Sequence, residues 1–323
     1  MAVSSNLQGP LSVGNVVSAG LRLYSNHFKQ YFGVALVATL WVLLPFVIGA
    51  LLVSFFGLVP DLSALLWLAI PAWFVLLLYC MGRYLAGAAA IGRLAFGELT
   101  NQPETAQNAK RFTNSRQWSF VWMSVLVSLI YFAIVIVMYI VAFVILFALL
   151  AGSGLAGLAE NASLEQLFTT NPALAIGVSL LVVLLVLGLI AFLLWLGARL
   201  SVPELSLAVE REATASGAIS RSWQLTKSNA WRVALVLFVT FLITLPLVIL
   251  TQLVVNALQA AFMVTVSEET PGYAGLLLLV SYAFSFLSNV FMLPLWQAIK
   301  ATIYYDLRSR REGIDLELRD RRL

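Results

Sequence analysis

The stretch ASGAISRSWQLTKSNAWRVALVLFVTFLITLP, Ala215–Pro246, governs how the rest of the chain is read. At helical spacing its first half puts Ala215, Ala218, Ile219, Trp223, Thr226 and Ala230 on one face. Ser216, Ser220, Arg221, Gln224 and Lys227 take the other face. Ser228-Asn229 interrupts the pattern, Trp231-Arg232 marks a boundary, and an apolar run continues to Pro246. This predicts an amphipathic helix on a membrane surface, a turn, an interfacial anchor and a helix entering the bilayer. The phrase occurs twice more: Val13–Pro45, with Ser25-Asn26 before Phe28, and Asn114-Ser115 before Trp118 and a long apolar run. Three copies of one phrase predict three copies of one structural unit.

Composition agrees. Of 323 residues 61% are hydrophobic and 11% charged, with a mean hydropathy of +0.95. A soluble domain carries roughly 25% charge. The single cysteine, Cys80, leaves no intramolecular disulfide or thiolate cluster to form, and the single histidine, His27, excludes a site needing two imidazoles. MAVSSNLQGPLSVG holds no Lys or Arg, and the first apolar run begins at Phe32, so no cleavable signal peptide is expected.

Six segments reach the ~20 apolar residues needed to span: Phe32–Leu58, Leu62–Met81, Phe120–Leu150, Ala173–Leu196, Val233–Leu258 and Ala274–Ile299. Pro45, Pro71, Pro246 and Pro294 fall inside these runs and predict kinks. Placing the N-terminus, 82–118, 197–232 and the tail from Lys300 on one side gathers all 19 Lys/Arg there with 10 of the 15 acids. Asp61, Glu160, Glu165, Glu268 and Glu269 remain opposite, without a basic residue. The positive-inside rule then puts both termini in the cytoplasm, which an even number of spans also requires.

The expected fold is an all-α integral membrane protein with six transmembrane helices, arranged as three pseudo-repeated hairpins with cytoplasmic juxtamembrane amphipathic helices. The chain divides into an amphipathic segment 1–31, a first hairpin 32–99, a linker and second hairpin 100–212, an amphipathic helix and third hairpin 213–305, and a charged tail 306–323. In the first segment Val13, Val16, Val17, Gly20, Leu21, Tyr24 and Phe28 face one way, and Asn15, Ser18, Arg22, Ser25 and Lys29 the other. The second, Thr100–Trp118, is polar and only weakly amphipathic, and Thr100/Asn101 before Pro103-Glu104 signals a helix start.

Local motifs point to architecture rather than chemistry. Gly152–Gly157 matches GxGxxG but lacks the strand and acid of a dinucleotide site, and reads as a loop. Asn161-Ala162-Ser163 is a glycosylation sequon that matters only in a eukaryotic secretory pathway. Gly82, Gly87, Gly92 and Gly97 recur every five residues and suit close intramolecular helix packing better than a dimer seam. Gln252, Asn256 and Gln259 form a polar stripe. It reads first as interhelical hydrogen bonding or emergence into headgroups, and second as the lining of a cavity. No charged residue lies mid-span, which counts against an ion-coupled pump. Arg83, Arg199 and Lys300 sit where they can snorkel, and His27 reads as an interfacial polar residue. Glu204, Glu210 and Glu212, interspersed with Arg199, Arg211 and Arg221, read as a solvated ion-pair face. The tail arginines Arg308, Arg310, Arg311, Arg319, Arg321 and Arg322 suit anionic lipid, blunted by acids among them.

Three stretches carry a family likeness: Leu11-Ser12-Val13-Gly14 with Leu21-Arg22-Leu23-Tyr24; Arg221–Lys227; and Ile303-Tyr304-Tyr305-Asp306-Leu307-Arg308 running into Arg311–Glu317. The chain resembles, over nearly its whole length, the bacterial membrane-domain family named after the membrane portion of certain glycerophosphoryl diester phosphodiesterases. The resemblance implies a six-helix membrane module, often standing alone. It does not extend to the full-length enzymes' activity: there is no soluble catalytic domain here, and one histidine cannot supply their paired-histidine metal centre.

The resulting expectation is a non-enzymatic bacterial cell-membrane protein, without cofactor or metal, acting as a scaffold that engages anionic headgroups or another membrane-protein complex and no nucleic acid. Arg22, Tyr24, Lys29, Arg221, Trp223, Lys227, Trp231, Arg232, Tyr304, Tyr305 and Arg308 are the candidate binding residues. The alternative is a transporter of lipid or small molecule through a cavity between the repeats.

Overall fold

The computed structural model describes residues 11–152, 172–265 and 273–313. Most of the glycine run 152–157, the sequon at Asn161, the acids Glu160, Glu165, Glu268 and Glu269, and Arg319, Arg321 and Arg322 lie outside them. The described residues are helical apart from short connections, with no strand among them. In order they form α1 (Val13–Asn26), α2 (Phe28–Leu58), a 3-10 turn (Pro60–Leu65), α3 (Leu66–Leu99), α4 (Ala106–Ser115) and α5 (Gln117–Gly152). There follow α6 (Pro172–Arg199), α7 (Pro203–Val209), α8 (Ala215–Thr226), α9 (Ala230–Thr265) and α10 (Tyr273–Glu312).

Five stretches are long and apolar enough to cross a membrane: Phe28–Val53, Leu66–Leu99, Gln117–Ile145, Ile176–Val209 and Ala230–Phe262. The sixth expected segment, Ala274–Ile299, lies within the continuous helix α10 but is not among the five. The helices run through Pro45, Pro71, Pro246 and Pro294 without interruption. The chain forms two compact units, one of Met1–Met123 with Arg199–Leu323 and one of Ser124–Ala198. In the smaller unit Tyr131 approaches Gly197, where a Cβ would stand 3.5 Å from its hydroxyl. Its helices turn Phe132, Tyr139, Phe143 and Phe147 outward, and such side chains lose nothing when their surroundings are hydrocarbon.

The larger unit is built around α3. Five residues along an α-helix advance the direction of a side chain by about 140°, so its four glycines face different neighbours. A Cβ on Gly82 would meet Val121 of α5 at 3.1 Å, and one on Gly87 would meet the Cβ of Ala38 on α2 at 2.6 Å. On Gly92 it would meet Leu205 of α7 at 2.9 Å, and on Gly97 the carbonyl oxygen of Gln102 at 2.8 Å. Ala86, Ala88, Ala89, Ala90 and Ala95 fill the intervals and are buried. The periodic glycines thus serve intramolecular packing on several sides at once.

Three short amphipathic helices begin alike. Oγ of Ser12 accepts from the Asn15 N–H, Oγ1 of Thr105 from Asn108, and Oγ1 of Thr214 from Gly217. These are N-caps. The start of α4 is therefore at Thr105 and not at the expected Thr100/Asn101, which instead close α3. Thr100 caps it, Asn101 adopts a left-handed φ of 57°, and the Gln102 N–H returns to the Gly97 carbonyl. Asn tolerates that conformation because its side chain bonds locally.

Each of the three docks on another helix rather than presenting an open apolar face. α1 lies along α10, where a Cβ on Gly20 would stand 2.5 Å from Cγ1 of Ile299, and its Val16 and Leu23 are 1% exposed. α4 lies on α3, with the Arg93 guanidinium 4.1 Å from the Phe112 ring centroid. α8 packs beside α7, where Ala215, Ala218, Leu207 and Ala208 join Ala86, Ala89, Phe120 and Met123 in one cluster. The expected faces are buried in part, at Val16, Val17, Gly20, Ala215, Ala218 and Thr226, but Ala19, Leu23, Ser222 and Leu225 join them, Trp223 stays exposed, and protein occupies these faces where a bilayer was expected. Val16, Val17, Gly20 and Leu23 gain closer contacts from α10 than from fluid acyl chains, and the docking removes them from any headgroup layer.

Adding one methyl at Gly87 must separate α2 from α3. Gly87→Ala is expected to lower stability by about 1–3 kcal/mol through overpacking. Gly33→Ala on α2, where nothing lies within 4 Å, is expected to be neutral or stabilising. Thermal unfolding of the detergent-solubilised protein distinguishes the two, and pairing Gly87→Ala with Ala38→Gly should restore most of the loss.

Candidate functional site

The charged end of the larger unit is closed by inward-turned basic residues, each at the start of a long helix. Nε2 of His27, preceding α2, lies 3.6 Å from Glu98 at the end of α3. Arg116, preceding α5, donates to the carbonyls of Leu207 (2.8 Å) and Glu210 (2.9 Å) and to that of Ala213. Arg232, at the start of α9, pairs with Asp306 of α10 at 2.5 Å and donates to the Leu11 carbonyl. Arg116 thus binds the C-terminal end of α7, where unsatisfied carbonyls attract a cation, whereas Arg232 takes the carbonyl of Leu11, just before the N-cap of α1.

Asp306 is 3% exposed and holds the most partners. It accepts from the Leu11 N–H at 2.9 Å, from Arg232 and from Arg310 at 3.1 Å, so the beginning and end of the described chain meet on one carboxylate. Glu210 accepts from the buried Tyr304 hydroxyl at 2.6 Å and from Arg221 at 3.2 Å. Arg221 also pairs with Glu312, which Arg308 reaches at 2.8 Å. Burial first, and then the bond to the Glu210 carboxylate, push the Tyr304 phenol far above its usual range, so it remains a donor. Burial opposes the Arg221 charge, but Glu210 and Glu312 outweigh it and hold its pKa above the ordinary value. Arg116 is lowered, by burial and then by the neighbouring Arg93.

This arrangement sorts the candidate residues. Arg22, Lys29 and Lys227 are exposed and have no salt-bridge partner among the described residues. Trp231 is 62% and Trp118 56% exposed, while Arg232, next to the first, and Arg116, two residues before the second, turn inward. Tyr24 is half-buried and donates to the Phe291 carbonyl at 3.3 Å. Trp223 carries the Arg199 guanidinium 4.1 Å from its ring centroid. Arg221 and Arg232 are spent on internal pairs, and Arg308 lies 5.7 Å from the Tyr304 ring centroid while bonding Glu312. Tyr304 and Tyr305 are 0% and 6% exposed, so neither presents a surface to a partner. Their apolar rings pack on Phe96 at 5.4 and 6.5 Å, which explains their inward direction. Likewise Glu204 and Glu210 belong to an internal network; of the three acids expected on a solvated face, Glu212 is the exposed one.

The other feature is a cavity of about 520 Å³ between α3, α7, α9 and α10. Glu204 and Lys300 form an ion pair on its wall at 2.5 Å, and Nε2 of Gln297 donates to the same Glu204 oxygen at 3.2 Å. Further along, the hydroxyls of Thr251 and Ser288 lie 3.2 Å apart, and Asn289 donates to Tyr84 at 3.5 Å. Gln252 of the polar stripe also lines it, bonded along the helix to Asn256 at 2.8 Å. Sequence reasoning placed Lys300 as a snorkelling residue and passed over Glu204, Gln297 and Asp306 as site members. Asp306 leaves one local signal, an acid four residues before Arg310 on the same helix face. The meeting of Glu204 with Lys300 spans 96 residues and leaves no local pattern.

Asp306→Asn is expected to leave Arg232 and Arg310 facing each other without a charge partner, at a cost of about 3–5 kcal/mol. Unfolding curves report the loss. Limited proteolysis should show α1 released first, and Arg310→Gln should cost less because Arg232 still holds the carboxylate.

No family model matches this chain, and neither a curated protein nor a solved structure matches it.

Proposed function

We propose that this is a non-enzymatic, multi-pass protein of a bacterial cell membrane whose charged end binds anionic lipid headgroups and serves as a scaffold at the cytoplasmic face. The proposal has six spans, α10 being the sixth, and both termini in the cytoplasm. It treats the three pairs α2/α3, α5/α6–α7 and α9/α10 as repeats. Three N-caps of one kind, three basic residues closing the pairs, and three amphipathic helices docked on other helices support the repeat. The likeness to the glycerophosphoryl diester phosphodiesterase membrane-domain family accords with this plan.

The observation that carries the lipid reading is the division between neighbours. At Arg116–Trp118 and Trp231-Arg232 the arginine turns into the protein and the tryptophan turns out. Outward tryptophans at the ends of apolar helices suit the headgroup level. Arg22, Lys29 and Lys227 are exposed and supply outward charge. A second reading, passage of a lipid or small molecule, is favoured by the cavity beside Glu204 and Lys300.

A basic residue near an anionic surface contributes about 1 kcal/mol, so three supply about 3, a factor on the order of a hundred. Replacing Arg22, Lys29 and Lys227 together by Gln should weaken binding to phosphatidylglycerol nanodiscs by that factor with the melting temperature unchanged. Arg221→Gln should do the reverse. Equal lipid binding by wild type and the triple variant would refute the headgroup role.

Sidedness has its own test. In a Cys80→Ala background, Ser18→Cys and Ser163→Cys should be labelled by a membrane-impermeant maleimide from opposite faces of the membrane. Labelling of both from one face would overturn the six-span topology.

A further inference from the structure

We infer that Arg83 anchors a site for a single anionic phospholipid, whose phosphodiester lies on the face of α3 between α2 and the start of α5. The inference rests on the membrane reading above, but on none of the outward basic residues that carry the headgroup proposal.

Arg93, Arg116, Arg221 and Arg232 each hold a carboxylate or carbonyl oxygen. Arg83 holds neither. It makes no hydrogen bond or ion pair among the described residues, and its Nε is buried without an acceptor. Its guanidinium rests on the Trp41 ring of α2, with Cζ 5.0 Å from the centroid. The surrounding helices cannot supply the missing charge, because α2, α5 and residues 66–97 of α3 contain no Asp or Glu. The next acid along α3 is Glu98, about 22 Å farther on. Glu204, which lines the cavity beside the adjacent Tyr84, is taken by Lys300. A partly buried charge is costly unless it is paired, so the counter-charge must come from outside the chain.

Position selects a lipid as its source. Successive side chains on a helix turn by about 100°. Gly82 faces Val121 of α5, and Gly87 faces Ala38 of α2. The two directions lie about 140° apart, and Arg83 leaves α3 between them. The Gly82 contact sets Arg83 level with the first turns of α5, where Trp118 and Trp122 are exposed, as suits the headgroup layer. Toward the membrane middle Tyr79 and Val75 precede Arg83 at i−4 and i−8 on the same face, and both are exposed, as is Leu44 beyond Trp41 on α2. These side chains form a track for acyl chains, which a free phosphate could not use.

The chemistry narrows the headgroup. A planar guanidinium presents two parallel N–H groups to two oxygens of one phosphodiester, while the indole covers its face. One base neutralises one negative charge, so a phosphomonoester would keep a charge unmatched. With no acid on these helices, an ammonium headgroup finds no carboxylate. Phosphatidylglycerol, a monoanionic phosphodiester without an amine, meets both conditions.

The test uses the full chain released from nanodiscs of equal phosphatidylglycerol, phosphatidylethanolamine and phosphatidylcholine into a native mass spectrometer. Wild type should retain a single phosphatidylglycerol in preference to the other lipids. Arg83→Gln should lower that occupancy about tenfold, the loss expected when a charged hydrogen-bond partner is removed. In non-ionic detergent, added phosphatidylglycerol should raise the melting temperature of delipidated wild type and leave that of Arg83→Gln unchanged. Without lipid the variant should be at least as stable as wild type, because it removes a charge that has no partner. A lower melting temperature there would make Arg83 a structural residue and overturn the inference, as would unaltered retention in Arg83→Gln. The Arg22, Lys29, Lys227 triple variant should keep the retained lipid, which separates failure of this site from failure of the outward surface; its loss from the triple variant alone would overturn the assignment to Arg83. Inorganic phosphate that displaces the lipid and stabilises wild type equally would overturn the lipid source and assign the site to a free phosphate anion.

Discussion

The close approach of other helices to α3 is the constraint on which the larger unit depends. In hydrocarbon, helices gain nothing from hiding apolar side chains, so association rests on van der Waals contact and on polar bonds. Contact of that quality needs backbones to come near. Gly87 against Ala38, Gly92 against Leu205 and Gly82 against Val121 permit it on three sides of a single helix. A GxxxG spacing would have put the glycines on one stripe and served one partner. A spacing of five distributes them, and α3 becomes an axis for α2, α5, α7 and α10.

The charge network follows from that packing. Second helices α3 and α10 extend well past their most apolar portions, and the amphipathic helices use the extensions as docking surfaces. Docking buries Asp306, Tyr304 and part of Glu210, which then require partners. The partners come from distant positions: Leu11 and Arg232 for Asp306, Arg221 and Tyr304 for Glu210. Buried pairs of this kind add little net stability, because desolvation cancels most of the attraction. Their effect here is on register. An α1 shifted along α10 would leave the Asp306 carboxylate and two guanidiniums unmatched, so the network selects one docking position among several that apolar contact alone would tolerate.

The same inward demand shapes the outer surface. Arginines with fixed carbonyl or carboxylate partners turn inward, while Arg22, Lys29, Arg111, Arg211 and Lys227 are exposed, as are Trp118 and Trp231. The cavity is the complement of the close packing. Where α9 and α10 face α3 through Ser285, Ser288, Asn289 and Tyr84, the side chains are small or polar and the space is not filled. Glu204 and Lys300 then share that space instead of being buried like Asp306.

Sequence by itself determined the helical class, the long apolar helices, the amphipathic faces and the role of the spaced glycines. These depend on period and composition within one segment, and neighbours three to five residues apart reveal them. It placed Tyr304, Tyr305, Arg221 and Arg232 on a surface because a charged or aromatic residue beside an apolar run has two possible directions, and local pattern does not choose between them. Tertiary structure chose: Phe96 received the tyrosines, Asp306 took Arg232, and Glu210 and Glu312 took Arg221. It also decided that the amphipathic faces meet protein, since α1 finds α10 across nearly the whole length of the chain. Glu204 and Lys300 became one site for the same reason, because their pairing depends on how α7 and α10 cross and on nothing written near either residue.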